Sequence, residues 1–204
     1  MYRRFGKRVI DTLLSAVGIV VFAIPMLIIA ACVKLDSRGP VIFKQRRLGK
    51  DKKPFTVLKF RTMCDHAYEK GGIAKTGDDP RITKVGAFLR RTSLDELPQF
   101  FNILVGQMAI IGPRPILDWE FEEYSGEKRY HRRYDALPGM FCTVDLDYRA
   151  QADRDLQFGM DADYVDNIRF GLDFKVFFGI IKTVVSGKNV YVEEKEARKD
   201  EQQV

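Results

Sequence analysis

The sequence predicts an α+β protein, mainly helical, with a long N-terminal membrane helix and a compact domain behind it. Three observations predict this. An uncharged run from Thr12 to Val33 has about the length of a membrane span. The stretches Val41–Arg46 and Phe55–Arg61 are rich in β-branched and aromatic residues and flank Gly49-Lys50-Asp51-Lys52-Lys53-Pro54, which supplies turn chemistry for a short β-hairpin. Leu97, Phe100, Phe101, Leu104 and Val105 recur at helical intervals. The 204 residues divide by composition into a membrane helix over 1–36, a domain over 37–190 and a charged, disordered tail over 191–204.

The N-terminal run is apolar around its whole circumference, which is rare for a core helix in a small soluble domain. Pro25 lies near its middle, where it removes a helix hydrogen bond and bends the axis. Both flanks are basic: Arg3, Arg4, Lys7 and Arg8 precede it, and Lys34, Arg38, Lys44, Arg46 and Arg47 follow. Positive charge prefers the cytoplasmic side, so both ends should stay there. The reading is a helix broken at Pro25 that dips into one leaflet and returns, with a straight span as the runner-up. Asp11, i+4 from Lys7, can be paired near the interface.

Within the hairpin, Lys59 and Arg61 share one strand face, from which they reach an anion or simply meet solvent. Gly71 to Pro80 reads as a Gly- and Asp-rich loop that lacks the glycine before the lysine needed for a phosphate loop. Ile82–Arg91 reads as a short basic amphipathic helix.

Next comes Arg90-Arg91-Thr92-Ser93-Leu94-Asp95-Glu96-Leu97-Pro98-Gln99. Ser93 and Glu96 have the spacing of a capping box, which would put Asp95 and Glu96 in the first turn of a helix that ends near Gly106. Acidic residues there commonly only cap a helix; the same place also suits a phosphate or a divalent cation.

Gly112-Pro113-Arg114-Pro115 restricts where Arg114 points and suits bidentate phosphate recognition, or a structural salt bridge. Asp118–Tyr134 reads as an exposed charged helix, and Phe141–Tyr148 as a strand or irregular loop followed by Arg149. Leu156–Val165 reads as a helix carrying Asp161, and Phe170–Val185 as a helix with a broad apolar face suited to core or to a membrane interface.

The net charge of +6 suggests an anionic partner. Cys32, Cys64 and Cys142, with His66 and His131, have neither disulfide nor zinc spacing. A nucleic-acid partner is supported by charge alone and opposed by the apolar run, so no nucleic acid is expected.

Asp79-Pro80-Arg81-Ile82-Thr83, then Thr92 through Gln99, then Gly112-Pro113-Arg114-Pro115, in this order and spacing, resemble the bacterial sugar transferase family. Its monotopic phosphoglycosyl transferases begin glycan assembly on polyprenol phosphate. The resemblance covers Lys7 to Val185 and is closest to the small form, a catalytic domain with a re-entrant helix. It implies a UDP-sugar donor, a polyprenol (undecaprenyl) phosphate acceptor, Mg²⁺, and a place on the cytoplasmic face of the bacterial inner membrane among its lipids. By position Asp95 matches the nucleophile and Glu96 its acidic partner, both implicated at the metal. Arg90, Arg114 and Arg149 match arginines that hold phosphate and substrate, and Asp161 an acidic residue downstream of them. The chain departs from the family pattern at Pro138-Gly139-Met140-Phe141-Cys142-Thr143-Val144-Asp145, where Ile-Thr-Gly-Trp-Ala-Gln usually follows Pro-Gly. A catalytically silent membrane adaptor is the alternative that this departure keeps open, and a homodimer is compatible with either.

Overall fold

A computed structural model describes residues 1–67, 79–117, 119–122, 124–148 and 152–186. Residues 71–78 of the expected loop over 71–80, Arg149 and the tail over 191–204 lie outside the described residues.

Helix α1 spans Lys7–Asp36 and is about 45 Å long at the usual rise per residue. It is long and apolar enough to cross a membrane. The helix runs through Pro25 without interruption, so the expected break of the helix at that residue is not seen. Proline forfeits a single backbone donor, which a long membrane helix absorbs. One stripe of α1, carrying Asp11, Ser15, Gly18 and Val33, is buried against the domain, while Val17, Val20, Val21, Ile24, Leu27 and Ile28 stand exposed. Gly18 is required by this packing: a Cβ there would lie 2.9 Å from the Phe100 ring. One turn later Phe22 stacks on Phe100, with ring centroids 6.1 Å apart.

The C-terminal end of α1 is tied down by the hairpin. Strands β1 (Ile42–Leu48) and β2 (Pro54–Phe60) pair antiparallel from Ile42↔Phe60 to Leu48↔Pro54, as the sequence predicts. Asp51 and Lys52 take positive φ in the turn. Just past β2, the Arg61 guanidinium donates to the carbonyls of Val33, Ser37, Pro40 and Met63 and to Ser37 Oγ. These include carbonyls that the helix end leaves without partners. Asp36 then accepts from Val85 N at 2.9 Å, linking α1 to the start of α2.

Helix α2 is Lys84–Thr92, capped by Thr83 Oγ1 on Gly86 N, and α3 is Gln99–Leu104. Strand β3 (Ala109–Ile111), which the sequence pattern does not announce, pairs in parallel with β4 (Gly139–Phe141). Glycine is needed where their ends meet: a Cβ on Gly139 would lie 2.1 Å from Gly112 N. The main core gathers Ile103, Met108, Ile110, Ile111, Val165 and Val176 around this pair.

The expected exposed helix over Asp118–Tyr134 is replaced, among the described residues, by 3₁₀ segments at Trp119–Phe121 and Lys128–Asp135. The reason is burial. Glu120 and Arg133 reach inward, Glu120 to Arg154 and Arg133 to Asp161, so the segment is not a solvated face. Helix α4 is Arg154–Asp166, capped by Asp153 on Leu156 N, and α5 is Phe170–Ser186. On α5, Val176 and Ile180 enter the core, while Phe170, Phe174, Phe178 and Ile181 form an exposed apolar stripe.

Candidate active site

The Asp-Glu pair does not open a helix in the expected way. Ser93 ends α2 in the left-handed conformation, at φ 57, and makes no side-chain cap to the turn that follows. The capping box therefore fails: a residue that must close one helix with positive φ is not placed to cap the next. Leu94–Glu96 is a single 3₁₀ turn, and Pro98 starts α3 only after it. The effect is a tight corner that holds both carboxylates between two helices.

At that corner Lys59 Nζ meets Glu96 Oε1 at 2.7 Å, so the end of β2 supplies the cation beside the acidic pair. Among the described residues no side chain hydrogen-bonds the half-buried Asp95 carboxylate. Burial pushes its pKa up to about 6; the Glu96 charge pushes the same way, and Lys59 and Arg90 oppose it. Arg90 is itself steered by Nε donating to Thr62 Oγ1 at 2.9 Å.

Arg114 arrives from the other side, carried past β3 by Gly112 and Pro113. Its backbone is clamped at both polar atoms. Its N–H donates to Asp161 Oδ1 at 3.2 Å, and its carbonyl accepts from Arg133 Nη2 at 2.5 Å. Arg133 and Asp161 are both buried and bonded to each other at 2.7 Å, and the Arg133 guanidinium also lies over the Phe158 ring. Burial pulls the Asp161 pKa up and the Arg133 charge holds it back. The Arg114 guanidinium meets Asp145 Oδ1 at 3.0 Å.

Lys59, Glu96, Gln99, Arg114, Met140 and Cys142 line one open depression of about 360 Å³. Burial holds the Cys142 thiol well above its ordinary range, so it is no thiolate at neutral pH.

The predicted site residues thus divide. Asp95, Glu96, Lys59, Arg90 and Arg114 are brought into one charged neighbourhood. Asp161 stands behind Arg114 rather than on the depression, and fixes its backbone. Arg61 is turned away, with its donors committed to the end of α1. Sequence reading missed Arg133, Thr62, Arg47 on the rim and Asp145. None has a spacing that signals it, since their partners lie on other elements. Asp145 alone left a trace, as a departure from the family pattern.

A family model described as bacterial sugar transferase matches residues 2–187. The chain belongs to the bacterial sugar transferase family. As a family member it is 38% identical, over 89% of its length, to the exopolysaccharide production protein PSS of Rhizobium leguminosarum bv. phaseoli, and covers 96% of that protein. It is 38% identical over 191 residues to a UDP-glucose:undecaprenyl-phosphate glucose-1-phosphate transferase of Klebsiella pneumoniae. It is 37% identical over 188 residues to a UDP-N-acetylgalactosamine-undecaprenyl-phosphate N-acetylgalactosaminephosphotransferase of Aeromonas hydrophila. The sugar transferase chain spans 41% and 44% of the length of these last two relatives.

Proposed function

We propose that the protein transfers a sugar-1-phosphate from a UDP-sugar to polyprenol phosphate through a phospho-aspartyl intermediate on Asp95. The observation that carries this reading is the Asp95 carboxylate itself. It is half-buried and ionised at neutral pH with a pKa near 6, Lys59 and Arg90 act on its charge, and its neighbour Glu96 lines an open depression together with Lys59 and Arg114. Such a carboxylate is less stabilised as an anion than an exposed one, and so a better nucleophile.

In the first step an Asp95 oxygen forms a bond to the β-phosphorus of the donor. The bond from that phosphorus to the bridging oxygen breaks, and UMP leaves with the oxygen. In the second step an oxygen of polyprenol phosphate attacks the same phosphorus and the bond to Asp95 breaks, returning the carboxylate. Arg114 and Arg90 offset the diphosphate charge that would otherwise repel Asp95.

Two adjacent carboxylates with oxygen donors fit Mg²⁺, which takes few protein ligands when phosphates supply the rest. Among the described residues no cluster of three or more His, Cys, Asp or Glu side chains would hold a metal alone, so Asp95 and Glu96 are the residues that would share it with substrate. Mg²⁺ would supply charge neutralisation at the diphosphate.

The exposed apolar faces of α1 and α5 support a seat in the bilayer, and the basic flanks of α1 favour the re-entrant reading, in which both its ends stay on the cytoplasmic face. There a soluble donor and a lipid acceptor meet at one surface. The test is to incubate the protein in nanodiscs with Mg²⁺ and a panel of UDP-sugars. UMP release and a sugar-phosphate mass increase on Asp95 are expected, both lost in Asp95→Asn. Turnover that survives Asp95→Asn would defeat the nucleophile assignment. A folded wild type inactive with every donor would favour the adaptor reading.

A further inference from the structure

Asp145 has no part in the two steps above, yet it is the side chain that holds the Arg114 guanidinium. Its oxygens are divided between two tasks. Oδ2 accepts from Cys142 N at 3.1 Å, and Oδ1 accepts from Arg114 Nη1 at 3.0 Å. The Cys142 amide is a fixed anchor, because it follows β4 directly and the residue is only 1% exposed. Arg114 follows β3, and β3 and β4 touch through Gly112 and Gly139. Both halves of the ion pair therefore hang from the same rigid contact.

The pair is also lopsided. The Arg114 side chain is 40% exposed and the Asp145 side chain 13%. Asp145 lies beneath and Arg114 faces the opening. Among the described residues Nε and Nη2 of Arg114 bond no protein group, so most of its donors stay available. A guanidinium held by one nitrogen and open along its other edge is arranged to receive a second, bidentate anion.

We propose that Asp145 is a positioning residue for the donor diphosphate: it aims the open edge of Arg114 into the depression. This rests on the placing of Arg114 at the donor phosphates proposed above. Asp145 acts through Arg114 and touches no substrate. Its charge is kept on the inner side of the guanidinium, away from the incoming anion.

Asp145→Asn keeps an oxygen for the Cys142 amide and removes the charge that fixes Arg114. The expected result is a fall in kcat/KM for the UDP-sugar by roughly tenfold to hundredfold, the usual cost of losing an orienting partner, with the unfolding midpoint nearly unchanged. In the Arg114→Gln background the same change should cost nothing further. Additive losses, or an Asp145→Asn variant as active as wild type, would overturn the proposal. So would tighter donor binding in Asp145→Asn, which would mark Asp145 as a competitor of phosphate. If Arg114→Gln alone leaves turnover intact, the assignment of Arg114 has failed and Asp145 falls with it. If Arg114→Gln is impaired but the double variant is worse still, only the role of Asp145 fails. A structure of the wild type with UDP gives a check independent of any variant: Arg114 should keep Asp145 while its open edge meets phosphate, and a broken Arg114–Asp145 contact refutes the idea.

Discussion

Arg61 and Arg114 carry the same side chain and were both expected to meet phosphate, but the fold uses them in opposite ways. Arg61 donates to a fan of carbonyls at the end of α1 and is 5% exposed. Arg114 has its backbone clamped by Asp161 and Arg133 while its guanidinium opens outward, held among the described residues by Asp145. The difference teaches that an arginine's role is set by how many of its donors the protein consumes. One whose donors are spent on main-chain oxygens is a structural tie; one with an open edge keeps donors to offer an anion.

The first way to break this contrast is Arg114→Gln. It should lower kcat/KM by roughly 10²- to 10³-fold, the scale seen when one preorganised donor to a developing anion is removed, with little change in thermal unfolding. Loss of fold with retained specific activity would reverse the two roles.

Arg61→Gln should do the converse. Leaving buried carbonyls without partners should cost roughly 3 kcal/mol of stability, read by denaturation in detergent, while the folded fraction keeps its turnover. A normal unfolding midpoint would return Arg61 to the list of candidate ligands.

The acid limb of the pH profile sharpens the picture of the site that Arg114 faces. In the proposed mechanism Asp95 attacks as the anion, so kcat/KM of the first step should decline as pH falls through about 6. The stability consequence has the opposite sense. Because its folded pKa lies above the ordinary 3.8, the charged form is disfavoured by folding, and stability is lost as pH rises from that value through about 6. Asp95→Asn should therefore raise the unfolding midpoint near neutral pH and leave it unchanged well below the ordinary carboxylate value.

The smallest effect is expected from Lys59→Met. Lys59 holds the Asp95 pKa down, so its removal should move the acid limb of the rate profile to higher pH. An unmoved limb would show that Lys59 serves Glu96 alone, through their 2.7 Å contact.

Much of the architecture was legible because it depends on local pattern. The apolar run of α1, the hairpin, the α2 periodicity and the α4 and α5 helices each follow from spacing and turn chemistry within a few residues. Two readings failed for one reason, and the placement of Arg61 shares it. The capping box at Ser93, the exposed helix over Asp118–Tyr134 and the anion-facing placement of Arg61 each treated a segment as though it had no neighbours. Ser93 must instead close α2, Glu120 and Arg133 must pair with α4, and Arg61 must satisfy the end of α1.

The sequence by itself determined the family, the membrane-length helix and the acidic pair, because covalent order alone puts Asp95 beside Glu96. The tertiary structure decided which cations face that pair. Lys59, Arg90 and Arg114, with Arg133 and Asp145 holding Arg114, come from separate parts of the chain, and the meeting of β3 and β4 depends on glycines far apart in it. Local propensity carries no information about contacts closed over such separations; only packing sets them.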